Sequence, residues 1–115
     1  MKYVNCEKLI KVSLPAIRVA LASALTNKYG IGQDGIADRL GITQASVSKY
    51  LSRRYSGDIA RLSAALGATT LIKGLAKEAA SSNDYPAIQE LINRYASGKL
   101  AISAAKKLFG AAAFE

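Results

Sequence analysis

Apolar residues along the chain recur every three to four positions rather than every second one, the spacing that lays a continuous apolar stripe along one side of an α-helix. Short polar or glycine-containing breaks divide the pattern into amphipathic helices, and strand signals are nearly absent. A short helix is expected over about residues 5–12, after which Ser13-Leu14-Pro15 reads as a cap with proline in the first turn of a new helix. Leu14, Ile17, Leu21, Ala24 and Leu25 form the inward stripe of that helix, which should end near Tyr29-Gly30. Further helices are predicted over 33–40, 44–53 and 58–66, the last turning Ile59, Leu62 and Leu66 inward and closed by Gly67. Leu71, Ile72, Leu75 and Ala79 make another stripe, followed by the polar break Ser81-Ser82-Asn83-Asp84. The next helix turns Ile88, Leu91, Ile92 and Tyr95 inward and stops near Gly98. A last one over 99–109 carries Leu100, Ala104 and Leu108, and the alanine-rich tail after Gly110 is expected to fray.

The stretch from Gln33 to Leu51 has a more specific logic. Ala37 is small at a position where two helices of a tight pair must approach closely, while Leu40, Ile42, Val47 and Leu51 fill the wedge between them. Gly41 follows the first helix of the pair, where a short turn requires the positive φ that glycine adopts without a Cβ clash. Thr43 is placed to cap the second helix. With Val47 and Leu51 turned inward, the opposite face presents Gln44, Ala45, Ser48 and Lys49, which are short or hydrogen-bonding side chains. The pattern therefore predicts an all-α fold: a compact helical bundle containing a helix-turn-helix, with additional C-terminal helices. Residues 1–66 are expected to form the domain that carries the helix-turn-helix, 67–110 a helical segment for dimer or partner contact, and 111–115 the frayed tail.

Composition narrows the function. The 115 residues suit one compact domain, and half of them are apolar, enough to bury a core. The net charge of +8 favours polyanionic partners. It is also concentrated: no acidic residue occurs between Arg39 and Gly57, a window that holds Arg39, Lys49, Arg53 and Arg54. With no histidine and the single cysteine Cys6, no His/Cys metal site, Cys-His pair or internal disulfide is expected, and Cys6 itself should be buried. The eight carboxylates show no clustered pair for acid/base work, so neither catalysis nor a cofactor is expected. Gly30-Ile31-Gly32-Gln33-Asp34-Gly35 matches a dinucleotide-binding string but follows a helix rather than a strand. Arg18 interrupts the most apolar segment, which argues against a membrane span or secretion signal and for a cytoplasmic protein.

The run Gly41-Ile42-Thr43-Gln44-Ala45-Ser46-Val47-Ser48-Lys49-Tyr50-Leu51, with the preceding Leu14-Pro15-Ala16-Ile17-Arg18, resembles the Cro-like or XRE-type helix-turn-helix regulators, in particular their small archaeal members. The resemblance covers about residues 5–60. It implies a groove-facing surface of Thr43, Gln44, Ala45, Ser48 and Lys49, and a phosphate near Gln33. On chemistry alone, Gln44 suits adenine N6 and N7, Lys49 suits guanine or a phosphate, and Arg53 and Arg54 suit phosphates. Tyr50 and Tyr55 are expected to pack against neighbours rather than stack on bases. The reading is a sequence-specific transcription regulator that binds double-stranded DNA as a homodimer through helices between Thr70 and Phe109. Two alternatives are an antitoxin-like or adaptor module whose C-terminal helices bind another protein, and a sequence-tolerant architectural nucleic-acid binder.

Overall fold

The computed structural model describes residues 6–110. The expected helical start at Asn5, the burial of the Cys6 side chain and the fraying of residues 111–115 lie outside what is described. Among the described residues the chain is helical throughout: α1 (Cys6–Asn27), α2 (Gln33–Leu40), α3 (Gln44–Leu51), α4 (Gly57–Gly67), α5 (Thr70–Ser81), α6 (Tyr85–Ala96) and α7 (Lys99–Phe109).

The two expected N-terminal helices are one. α1 runs through Ser13 and Pro15 without a stop, although proline removes an i→i−4 hydrogen bond and crowds the carbonyl one turn back. Tertiary packing overrides that local signal. Leu9 before the proline and Leu21 and Leu25 after it enter the same buried cluster, so one rod satisfies both. Ser13 is fully buried and caps nothing; its Oγ donates to the Ala96 carbonyl at the end of α6, 2.5 Å away.

Around this central helix the other six close a single core. Ile36 and Leu40 of α2, Val47 of α3, Leu62 and Leu66 of α4, Ile72 and Leu75 of α5, Ile88 and Ile92 of α6 and Ala105 of α7 all belong to it. Helices before and after Gly67 thus share one interior. The radius of gyration, 13.5 Å, is close to the ~13 Å of a compact single domain of about 100 residues. By length and hydropathy Glu7–Asn27 would suffice to cross a membrane, but here its apolar residues form the core of a bundle.

Local chemistry sets the boundaries. Thr43, Ser56, Thr69 and Asp84 each accept a hydrogen bond from a backbone N–H of the following helix, caps worth about 1 kcal/mol apiece. Thr69 acts in both directions: its Oγ1 donates to the Leu66 carbonyl and accepts from the Ile72 N–H. Around it the chain bends by 86° between α4 and α5. Gly67 is the last residue of α4 rather than its cap. One predicted stripe is rotated: in α7 the buried residues are Ala101 and Ala105, with Leu100 and Ala104 flanking them and Leu108 exposed. In α5 the stripe holds at Ile72, Leu75 and Ala79, and Leu71 is exposed. Close approach of α7 to α4 and α1 favours the small side chains on the contact line.

Removing the Ser13 hydroxyl should weaken the α1–α6 junction. Ser13→Ala leaves a buried carbonyl without its partner, a loss of about 1–2 kcal/mol, expected as a lower urea midpoint with unchanged slope. An unchanged midpoint would mean the bond adds nothing to stability.

Candidate nucleic-acid interface

The α2–α3 pair is assembled as its residues dictate. Ala37 and Leu40 are buried on α2 and Val47 on α3, while Ile42 and Leu51 are half-buried against the same core. Between the helices Gly41 takes φ 69° and ψ 37°. In that conformation the N–H groups of Gly41 and Ile42 both donate to the Ala37 carbonyl, at 2.9 and 3.1 Å, which ends α2 within one residue.

A second constraint on Gly41 comes from far along the chain. The Gln89 side chain of α6 lies so close that a Cβ on residue 41 would stand 2.6 Å from its Cδ. Gln89 Nε2 also faces the Asp38 and Arg39 carbonyls at 3.4 and 3.5 Å, weak contacts at the end of α2.

α3 starts at Thr43, whose Oγ1 accepts from the Ser46 N–H at 3.1 Å and donates to the Ser46 Oγ. Gln44, Ala45 and Lys49 are exposed and Ser48 is half-buried, and their spacing sets them on one face of α3. Gln33 is exposed in the first turn of α2. The residue before it, Gly32, supplies no side-chain cap, and Asp34 puts a carboxylate in the same first turn as the unpaired leading N–H groups.

The C-terminal end of α3 departs from expectation. The helix stops at Leu51, two residues early, because Arg53 takes φ 60°. The Arg53 N–H then donates to the Tyr50 carbonyl and the Arg54 N–H to that of Lys49, the paired bonds of a Schellman cap. Ser52 Oγ donates to the Ser48 carbonyl at 2.6 Å and accepts from Arg54 Nε at 3.1 Å. Arg53 and Arg54 are both exposed, so the expected phosphate-binding pair stands at the end of α3 with Lys49 one turn before.

Arg39 does not belong to this surface. It is half-buried: Nε donates to the Ala79 carbonyl of α5 at 2.8 Å, Nη1 to the Gly35 carbonyl at 2.9 Å, and the guanidinium lies 5.2 Å from the centre of the Tyr85 ring. The acid-free window therefore offers three outward cations, Lys49, Arg53 and Arg54. Nothing local in the sequence signals this role, since Ala79 and Tyr85 are remote. Tyr50 and Tyr55 are half-buried, but neither is among the residues packed against the core; both line an open cleft beside the end of α3. Among the described residues no group of three or more metal-ligating side chains occurs.

No family model, curated protein or solved structure matches the chain, and what this surface does must be argued from its geometry.

The turn can be tested directly. Gly41→Ala should cost about 1–2 kcal/mol for the left-handed backbone, and little more for moving the flexible end of Gln89. In the Gly41→Ala, Gln89→Ala double variant, urea unfolding should recover only that small steric share. Strict additivity of the two substitutions would show that residues 41 and 89 do not interact.

Proposed function

We propose that the protein is a sequence-specific DNA-binding transcription regulator of the Cro-like, XRE type that acts by occupying DNA. The observation that carries this reading is the outward face of α3: Gln44, Ala45, Ser48 and Lys49 lie in a stretch of sequence without acidic residues, on a helix anchored to the core by Val47 and set off from α2 by the Gly41 turn. Its eight residues make a rod about 12 Å long, which enters a major groove about 12 Å wide. Gln44 reads adenine, Lys49 reads guanine or holds a phosphate, and Thr43 and Ala45 offer methyl groups to thymine. Arg53, Arg54 and Gln33 fix the register on the phosphates.

The working form is a homodimer in the cytoplasm, matching a two-fold site whose half-sites lie about 34–36 Å apart. Among the described residues the large apolar side chains left exposed are Leu71 and Leu108, both in the C-terminal helices. Leu71 borders a shallow apolar groove with Gly74, Leu91 and Tyr95, and we assign the contact between copies to that side of α5 and α6.

Selection of bound duplexes from a random pool at about 0.15 M salt, where nonspecific binding is weak, should enrich a two-fold symmetric sequence. The Gln44→Ala, Lys49→Ala variant should lose or relax it. With two to three cations on phosphates per protomer, log K of the dimer should fall by about four to five per decade of salt. Enrichment of nothing by the parent would remove the regulator reading in favour of a protein-interaction module. Binding that the double variant retains unchanged would favour an architectural binder.

A further inference from the structure

Beside the C-terminal end of α3, residues of α1, of the segment from Tyr50 to Tyr55 and of α4 line an open cleft of ≈ 800 Å³. That is within the size of small-molecule sites, about 300–1,000 Å³. Small residues of α1 and α4, among them Ala20, Ala24 and Ala64, leave the space that larger side chains would fill. Tyr50 and Tyr55 add aromatic surface. Ser23 and Asn27 add polar groups already joined to one another by a 3.2 Å hydrogen bond. The lining holds one charged residue, Arg53, and no carboxylate.

Arg53 stands out on two independent grounds. Its φ of 60° lies in the left-handed region, strained for an L-residue with a Cβ and open to glycine. Strain retained at such a position points to a use for the side chain. Its neighbours' guanidinium groups are engaged: Arg54 with Ser52, Arg39 with Ala79 and Tyr85, and Arg61 with Asp58 and the Phe109 ring. The Arg53 guanidinium makes no hydrogen bond or ion pair among the described residues.

The geometry points to an effector site for a small aromatic carboxylate, its carboxylate on Arg53 and its ring against Tyr50 and Tyr55. A planar guanidinium pairs with a carboxylate through two parallel hydrogen bonds, and the aromatic walls take a flat apolar body. Arg53 is also a proposed phosphate anchor, so a bound carboxylate competes with DNA for the same guanidinium. Ligand binding stands independently of DNA binding; the regulatory consequence rests on the DNA-binding reading.

The test uses the full chain, labelled with ¹⁵N and titrated with salicylate as the probe. Salicylamide supplies the same ring without the charge, and propionate the charge without the ring. Salicylate should give saturable amide shifts at Ser23, Asn27, Arg53 and Ser63, with either control binding at least about tenfold more weakly. Arg53→Gly, which accepts the positive φ and should fold at least as well, and Ala64→Leu, an exposed residue whose enlargement fills the cleft, should each weaken salicylate about tenfold or more. Absence of saturable shifts at the cleft, or equal binding of salicylamide, overturns the site. In a second arm, saturating salicylate should weaken binding of the selected duplex by about tenfold in the parent. It should have no such effect on Ala64→Leu, whose affinity without salicylate should match the parent's. Salicylate bound in the cleft with duplex affinity unchanged overturns the regulatory role. A parent that selects no duplex instead removes the DNA-binding reading and the regulation with it, while the titration still decides whether the site exists.

Discussion

The left-handed backbone at Gly41 is the constraint on which the placement of α3 against α2 depends. Residue 41 must turn through the left-handed region for α3 to leave α2 within one residue. A Cβ there would also meet the end of the Gln89 side chain, which is half-buried and can swing aside, so the local demand for positive φ is the one that selects glycine. Arg39 reinforces the same junction from α2, tying it to the Ala79 carbonyl and the Tyr85 ring. Interiors packed to crystal-like density transmit such contacts instead of absorbing them. The end of α2 is thus tied to α5 and α6 by partners forty or more positions along the chain.

What was legible in the sequence was what is decided locally. The bounds of α2, the turn at Gly41, the Thr43 cap and the exposed set on α3 follow from spacing and backbone chemistry within a few residues, and they occur where the pattern puts them. The errors fall where a remote partner decides. Ser13 and Pro15 look like a helix start, but the hydroxyl is taken by Ala96 and the apolar residues on both sides of the proline share one core. Arg39 looks like one more surface cation until α5 and α6 close over it. In α7 a leucine and an alanine compete for the inward line, and the closeness of the neighbouring helices selects the alanine. The early stop of α3 has no sequence signal at all, since arginine is a poor candidate for positive φ.

Charge is distributed with the same division of labour. Of the basic side chains near α3, some are consumed in holding helices together and others are left to solvent. Arg61 is paired with Asp58 and lies over Phe109, joining α4 to α7. Arg54 folds back onto Ser52 at the end of α3, where a cation also meets the negative end of the helix dipole. The net charge of +8 overstates what a polyanion would encounter on this face and understates how specifically Lys49 and Arg53 are placed there.

The shared interior has a consequence for anyone wishing to transplant the α2–α3 pair. A fragment ending at Gly67 would retain all of α3, yet it would strip Ile72, Ile88 and Ile92 from the cluster around α1 and leave Arg39 without Ala79 and Tyr85. It would also remove Gln89 from beside Gly41. A chimera built on this protein must therefore carry α5 and α6 as part of the graft, for the portable unit is the bundle and not the motif.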